Sequence, residues 1–135
     1  MKILFVCKAN VGRSQIAEII FNNLHKEYSA ISAGLNPGDW EGKNISTAKN
    51  VVSCLNEVGL TVNNRFSKKI TREMVDNVDK IVIMEKENWP NYLNNNSKVE
   101  YWDIEDAGAK DLDFHRKVRD QIIIKVKELI EILNN

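Results

Sequence analysis

The sequence predicts an α/β fold in which a four-stranded parallel sheet carries helices on both faces. Four short runs typical of strands alternate along the chain with segments whose apolar residues recur at helical spacing. Strands that alternate with helices form βαβ units, and such units build parallel sheets. No internal repeat or linker divides residues 1–135, so one domain is expected.

The beginning of the chain supplies the first two strands. Lys2–Val6 is rich in large and β-branched apolar residues and is too short for a helix, which predicts a buried strand. A helix is expected after Ser14 and ends near His25, because the apolar residues between them share one helical face. Ser29–Ala33 predicts the second strand, which Gly34 closes.

A loop and two helices are expected next. Leu35–Lys43 is a loop by composition and contains one large aromatic residue, Trp40. Ala48–Val58 has apolar residues at helical spacing, with Gly59 as the residue that ends the helix. A short helix is expected over Ile70–Val75.

The remaining strands follow. Asp79–Met84 predicts the third strand, and Glu85–Leu93 a helical segment interrupted at Pro90. Lys98–Trp102 is more polar, which suits a strand at the sheet edge, and Asp103–Asp111 is an acidic loop. A last helix is predicted by apolar residues at steps of about four positions, namely Phe114, Val118, Ile122, Val126, Ile130 and Leu133.

Composition restricts the classes of function. Nineteen basic residues balance nineteen acidic ones, so neither nucleic acid nor an anionic membrane is expected as a partner. Cys7 and Cys54 cannot make a disulfide framework, and with His25 and His115, both expected to be solvated, they match no zinc pattern. No metal or cofactor is therefore expected. Without a recognisable signal peptide or spanning run, the expected compartment is a reducing cytoplasm, where a thiol stays available.

The carboxyl ends of the four predicted strands bring reactive residues to one edge of the sheet. Cys7 ends the first strand, the Trp40 loop follows the second, Glu85 follows the third and Asp103–Asp106 the fourth. Ligands of parallel α/β sheets bind beyond these ends. We therefore expect a site at this edge.

The turn from Cys7 to Ser14 has the residues of an oxyanion site. A strand, a tight loop and a helix aim backbone N–H groups and a positive helix N-terminus at one point. A thiolate is stabilised there by the helix and by the Lys8 and Arg13 cations. Arg13 can bind phosphate oxygens, and the Ser14 hydroxyl can donate to the thiolate. Gly12 permits a backbone conformation or a close approach that a side chain would hinder.

These residues favour phosphoryl transfer to sulfur. The Cys7 thiolate attacks a phosphate monoester in line, and water then hydrolyses the cysteinyl-phosphate. One carboxyl group can protonate the leaving oxygen and later activate the water. The acidic loop offers Asp103, Glu105 and Asp106, and composition does not choose among them.

The chain resembles the low-molecular-weight protein tyrosine phosphatase family, whose fold is shared with thioredoxin-coupled arsenate reductases. The similarity includes the phosphate loop around Cys7–Ser14, the segment Ser32–Gly34, Asp39–Trp40 and the stretch from Trp102 to Ala107. It implies a three-layer sandwich with strand order 2-1-3-4. It also implies inhibition by phosphate-like oxyanions.

The resemblance assigns roles to individual residues. Cys7 is the expected nucleophile, Arg13 the phosphate clamp and Asp106 the general acid, while Trp40 walls the cleft. A hydrogen-bonded set supports the loop, namely Asn10, Ser14 and Ser32. The expected phosphate-binding residues are Lys8, Ala9, Asn10, Val11, Gly12, Arg13 and Ser14.

Three positions depart from the family pattern. Ala107 follows Asp106 where the family usually has proline, which gives a less rigid acid loop. Gly12 stands where many members carry a second cysteine, so protection of Cys7 by a local disulfide is not expected. Gly108 and Ala109 replace the tyrosines that serve as phosphosites in some members.

The sequence thus predicts a phosphomonoester hydrolase, with protein tyrosine phosphatase activity as the first expectation. Its substrate would be a phosphotyrosine protein or a small phosphomonoester. One alternative is an arsenate reductase that uses Cys7 and Cys54, although nothing supports a further cysteine in such a relay. Another alternative is an oxyanion- or phosphoprotein-binding module without catalysis.

Overall fold

The computed structural model describes residues 1–135 and contains four strands and four α-helices. The strands are β1 (Lys2–Cys7), β2 (Ser29–Gly34), β3 (Lys80–Ile83) and β4 (Val99–Tyr101). The helices are α1 (Arg13–Leu24), α2 (Lys49–Asn56), α3 (Arg72–Asp76) and α4 (Leu112–Asn134). Single 3-10 turns lie at Gly38–Trp40, Ile45–Thr47 and Asn91–Leu93.

The four strands form one parallel sheet in the order β2-β1-β3-β4. This confirms the predicted order and the edge position of the last strand. Register places Cys7 opposite Gly34 and Val6 opposite Ile83, while Ile83 pairs with Tyr101. The carboxyl ends of all four strands therefore meet at one edge.

Alternate residues of β1 pack on opposite faces of the sheet, as strand geometry requires. Ile3 and Phe5 face a core that α1, α2 and α4 complete. Leu4 and Val6 face a smaller core, which includes Val75 of α3. Helices cover both faces, as predicted, and none of them is long and apolar enough to cross a membrane.

The predicted helical segment Glu85–Leu93 is wrong except for the 3-10 turn at its end. Asn88 takes a left-handed conformation with φ of 64°, which breaks a helix before it can form. Pro90 disfavours the helical region at the residue that precedes it. The Trp89 indole N–H donates instead to the Glu85 carbonyl oxygen at 2.7 Å.

Both histidines are buried, which contradicts the expectation that they are solvated. His25 is 8% exposed, and its ring stacks on Phe21 and Tyr28 with centroids 5.6 and 4.6 Å away. His115 is 6% exposed and lies beside the loop between β4 and α4. Burial is tolerated because ring nitrogens of both histidines have hydrogen-bond partners inside the protein.

Candidate active site

The loop after β1 wraps around the Cys7 sulfur. Asn10 has φ of 59°, a left-handed conformation that asparagine tolerates better than most residues. This conformation brings its backbone N–H within 3.3 Å of Cys7 Sγ. The Ser14 hydroxyl lies 3.0 Å from the same sulfur. Two polar groups therefore surround a thiol that is only 3% exposed.

The remaining amides of this loop are free to bind a ligand. The backbone N–H groups of Lys8, Ala9, Val11 and Gly12 donate to no group within the protein. The loop leads directly into α1, which begins at Arg13, so a positive helix end adds to them. Successive N–H groups curled before a helix are the usual cradle for an oxyanion.

The Asn10 side chain stabilises the loop through hydrogen bonds. Its Nδ2 donates to Ser14 Oγ at 2.8 Å and to Ser32 Oγ at 2.9 Å. Its Oδ1 accepts from the Lys68 backbone N–H at 2.9 Å. The Ser32 hydroxyl in turn donates to Glu18 Oε1 at 2.7 Å. The structure thus brings together the three residues that were expected to support the loop.

A second layer of support comes from residues that were not predicted from the sequence. Arg65 forms an ion pair with Glu18 and donates to Gln15 Oε1 at 2.9 Å. Ser67 donates its hydroxyl to the Ala9 carbonyl oxygen at 2.7 Å. Burial lowers the pKa of Arg65 below its ordinary value. No local pattern identifies these contacts, since residues about 50 positions apart make them.

Gly34 is the glycine that the loop requires for close packing. A Cβ atom there would lie 2.7 Å from the Lys8 carbonyl oxygen and 3.0 Å from Asn10 N. At Gly12, by contrast, φ is −101° and a Cβ would meet only Val51 Cγ2, at 3.9 Å. The role expected of Gly12, in a backbone conformation or in a close approach that a side chain would hinder, stays a prediction. Within the protein, the close contact between backbones lies at Gly34.

Arg13 is held by the ends of two other strands. Its Nη1 donates to the carbonyl oxygens of Met84 and Ile104, the latter at 3.0 Å. Its Nη2 lies 3.7 Å from Asp106 Oδ2 and 3.9 Å from Glu85 Oε2. The side chain is only 4% exposed. Because Nη1 is occupied, the Nε and Nη2 side of the guanidinium remains for an oxyanion.

A cavity of about 450 Å³ opens over this loop. Cys7, Arg13 and Asp106 line it, and so do the loop residues Ala9, Val11 and Gly12. Its walls include the half-buried Trp40 and the apolar side chain of Val51 on α2. The predicted nucleophile, clamp, acid and aromatic wall therefore share one concave space.

The three candidate acids occupy different environments. Asp106 lines the cavity, and its Oδ1 accepts from the Gly108 N–H at 3.1 Å. Asp103 does not line it; its carboxylate accepts from the Tyr101 hydroxyl at 3.2 Å. Glu105 forms a surface ion pair with Lys110 at 2.8 Å. Asp106 is the carboxyl group of this loop that faces Arg13.

Cys54 lies apart from the cavity, on the buried face of α2. Its thiol donates to the Val51 carbonyl oxygen at 3.3 Å. Burial raises the pKa of Cys54 to about 11, so the group stays a neutral thiol at physiological pH. The buried, neutral thiol agrees with a structural role for Cys54, which lies beside the apolar stripe of α2.

Comparison with known proteins identifies the family. The family model of the low molecular weight phosphotyrosine protein phosphatases matches residues 2–135. The chain belongs to this family. Membership confirms the resemblance seen in the sequence and supports phosphatase activity.

Relatives of this phosphatase family differ in their named activities. An arsenate reductase of Staphylococcus aureus is 30% identical over 129 residues, which cover 93% of this chain and 92% of the relative. A low molecular weight protein tyrosine phosphatase from T. tengcongensis is 26% identical with a TM-score of 0.81, covering 97% and 98% of the two chains. The YwlE arginine phosphatase of Geobacillus stearothermophilus shares the fold, with 23% identity, a TM-score of 0.82 and coverage of 98% and 92%.

Proposed function

We propose that the protein is a protein tyrosine phosphatase that works through a phosphoenzyme on Cys7. The observation that carries this proposal is the shared cavity of Cys7, Arg13 and Asp106 above a loop with unpaired amides. That arrangement has a nucleophile, an oxyanion cradle and a proton donor on one concave surface. A module that only binds oxyanions does not need the Asp106 carboxyl group beside the Arg13 guanidinium, whereas a phosphatase needs it as a proton donor.

In the first step the Cys7 thiolate attacks phosphorus, and an S–P bond forms as the ester P–O bond breaks. Loop amides and Arg13 stabilise the charge on the equatorial oxygens. The Asp106 carboxyl group gives its proton to the leaving phenolate oxygen, so the product departs as a neutral phenol. The hydroxyl of Ser14, 3.0 Å from the sulfur, favours the thiolate before attack.

In the second step water hydrolyses the cysteinyl-phosphate. The Asp106 carboxylate takes a proton from the water, whose oxygen bonds to phosphorus as the S–P bond breaks. Inorganic phosphate and the Cys7 thiolate result, and Asp106 is again protonated. The cycle has no redox change and requires no metal or cofactor.

The walls of the cavity support an aryl ester as substrate. Trp40 and Val11 both line the cavity that contains Cys7, and both offer apolar surface. Aromatic rings pack favourably against such surfaces, with about 0.5–1.5 kcal/mol beyond area burial for a well-oriented aromatic pair. We therefore favour phosphotyrosine over an aliphatic phosphomonoester, and we expect phosphate and similar oxyanions to compete. The need for a reduced Cys7 favours the cytoplasm.

Arsenate reduction is the second candidate, because the relative from Staphylococcus aureus bears that name. Arsenate would first form an S–As(V) bond with Cys7 as water leaves; a second thiolate then has to attack that sulfur, so that the S–As bond breaks, a disulfide forms and its two electrons leave with arsenite. Cys54 is the only other cysteine of the chain. With a pKa of about 11 and a place outside the cavity, it is poorly suited to this attack.

Turnover of phosphotyrosine with a chelator present tests the proposal. We expect hydrolysis that phosphate inhibits competitively and that Cys7→Ser abolishes. Cys54→Ser is the matched control and should retain activity. Arsenate-dependent oxidation of thioredoxin that is lost in Cys54→Ser, without phosphotyrosine hydrolysis, would favour the reductase instead.

A further inference from the structure

His115 reaches into the active-site cavity from the first turns of α4. Its ring lines the cavity, and its Nε2 lies 3.2 Å from the Gly108 carbonyl oxygen. A carbonyl oxygen can only accept, so Nε2 must carry the hydrogen of this bond. The hydrogen bond therefore identifies Nε2 as a nitrogen of this buried ring that carries a hydrogen.

Gly108 links this histidine to the candidate acid. Its N–H donates to Asp106 Oδ1 at 3.1 Å, while its carbonyl oxygen accepts from His115. Gly108 has φ of 46°, a left-handed turn conformation. The N–H group of Gly108 thus holds the Asp106 carboxylate, and His115 holds Gly108 through its carbonyl oxygen.

Core and backbone contacts restrain the rest of this loop, since Ala107 is buried and its carbonyl oxygen accepts from the Lys110 N–H at 2.8 Å. Arg13 anchors its start at the Ile104 carbonyl oxygen, and Asn50 reaches its end at the Lys110 carbonyl oxygen, 3.4 Å away. Residues 103–111 contain no proline, and the Asp106 side chain is 57% exposed. From outside the loop, the side chain that hydrogen-bonds to the turn beside Asp106 is that of His115.

We propose that His115 is a positioning residue for the general acid, which it holds over the cavity through Gly108. The proposal rests on the function proposed above, because it assigns a task to Asp106 in that reaction. A proton donor has to lie within hydrogen-bond distance of the leaving oxygen. Small displacements of a catalytic group can reduce rates by about 100-fold.

The test compares esters that depend differently on the acid. Phenyl phosphate has a poor leaving group and needs protonation, whereas 2,4-dinitrophenyl phosphate needs little. For His115→Ala we expect kcat/KM on phenyl phosphate to fall about 10- to 100-fold, and on the dinitrophenyl ester less than about threefold. His115→Gln, which keeps an N–H donor, should recover most of the loss. Lys117→Ala, on an exposed position of the same helix, is the matched control and should behave as wild type.

Equal losses on the two esters would mean general damage to the site and would overturn the proposal. Rates unchanged in His115→Ala, or a glutamine variant no better than alanine, would overturn it as well. Competitive inhibition by inorganic phosphate should be the same in all variants, because the loop around Cys7 does not use His115.

Amide hydrogen exchange gives a readout that does not depend on turnover. Gly108 and Lys110 donate backbone hydrogen bonds within the turn, and their exchange should accelerate in His115→Ala while amides of β1 stay protected. Unchanged exchange at these two positions would overturn the positioning role. If wild-type protein hydrolyses no aryl phosphate, the proposed function fails, and exchange alone then decides whether His115 holds the turn.

Discussion

A Cβ atom at Gly34 would lie 2.7 Å from the carbonyl oxygen of Lys8, closer than real Cβ contacts come. The end of β2 therefore presses directly against the backbone of the phosphate loop. This contact depends on the absence of a side chain, and neither backbone can move without disturbing the sheet register that pairs Cys7 with Gly34.

Gly34→Ala should distort the loop and destabilise the fold. Overpacking against rigid backbone costs about 1–3 kcal/mol. We expect a lower free energy of unfolding in urea and weaker inhibition by phosphate. Gly12→Ala serves as the comparison for stability, because its Cβ would meet only a side-chain methyl group at 3.9 Å. Equal stability of the two variants would refute the steric role of Gly34.

Asp106→Asn should slow hydrolysis of phenyl phosphate by about 10²–10⁴-fold, the usual range for loss of a general acid–base group. Esters with good leaving groups should suffer less in the first step. Asp103→Asn is the matched control, since this residue is on the same loop but outside the cavity. Steady-state kinetics over a series of substituted phenyl phosphates measures the difference. If Asp103→Asn shows the stronger leaving-group dependence, the acid has been assigned to the wrong residue.

Arg65→Met should reduce stability by about 3 kcal/mol, because it leaves the Glu18 carboxylate without its cation. Glu18 is only 11% exposed, and it also accepts from the Ser32 hydroxyl. Lys110→Met breaks the surface pair with Glu105, in which both side chains are more than half exposed, and should cost less than about 1 kcal/mol. Urea denaturation compares the two. Similar losses in both variants would show that the Arg65 pair is no stronger than a surface one.

Cys54 should make stability fall in alkaline solution. Its pKa is raised from 9.0 to about 11 in the folded protein, so between these values the folded state keeps a proton that the unfolded state loses. Its stabilising contribution is complete below the lower value and disappears as the pH rises through the upper one. The difference in unfolding free energy between wild type and Cys54→Ala should therefore shrink between about pH 9 and about pH 11. A constant difference would contradict the raised pKa.

The fold was largely predictable because its signals are local. The strands β1 and β3 are short apolar runs, and the order of the residues from Cys7 to Ser14 indicates the site. The segment after β3 was mispredicted because its helical spacing hides the left-handed Asn88. Propensity does not reveal a conformation that tertiary packing selects.

The site was most directly predictable where one stretch of the chain contains its residues. Cys7, Asn10, Arg13 and Ser14 lie within eight consecutive residues, so their proximity could be expected. Arg65 and Gly34 act through contacts with distant segments, which no pattern in the chain specifies. The burial of His115 depends likewise on the path of the acidic loop, and that path follows from packing on α4.

The central claim is that a phosphoryl group passes through the sulfur of Cys7. Rapid acid quench after mixing with phosphotyrosine, followed by mass spectrometry of the proteolysed protein, tests it directly. We expect the peptide that contains Cys7 to carry one phosphoryl group during turnover, and this peptide to stay unmodified in Cys7→Ala, which should not turn over. Turnover with no phosphoryl group on that peptide, or sustained hydrolysis by Cys7→Ala, would contradict the covalent mechanism.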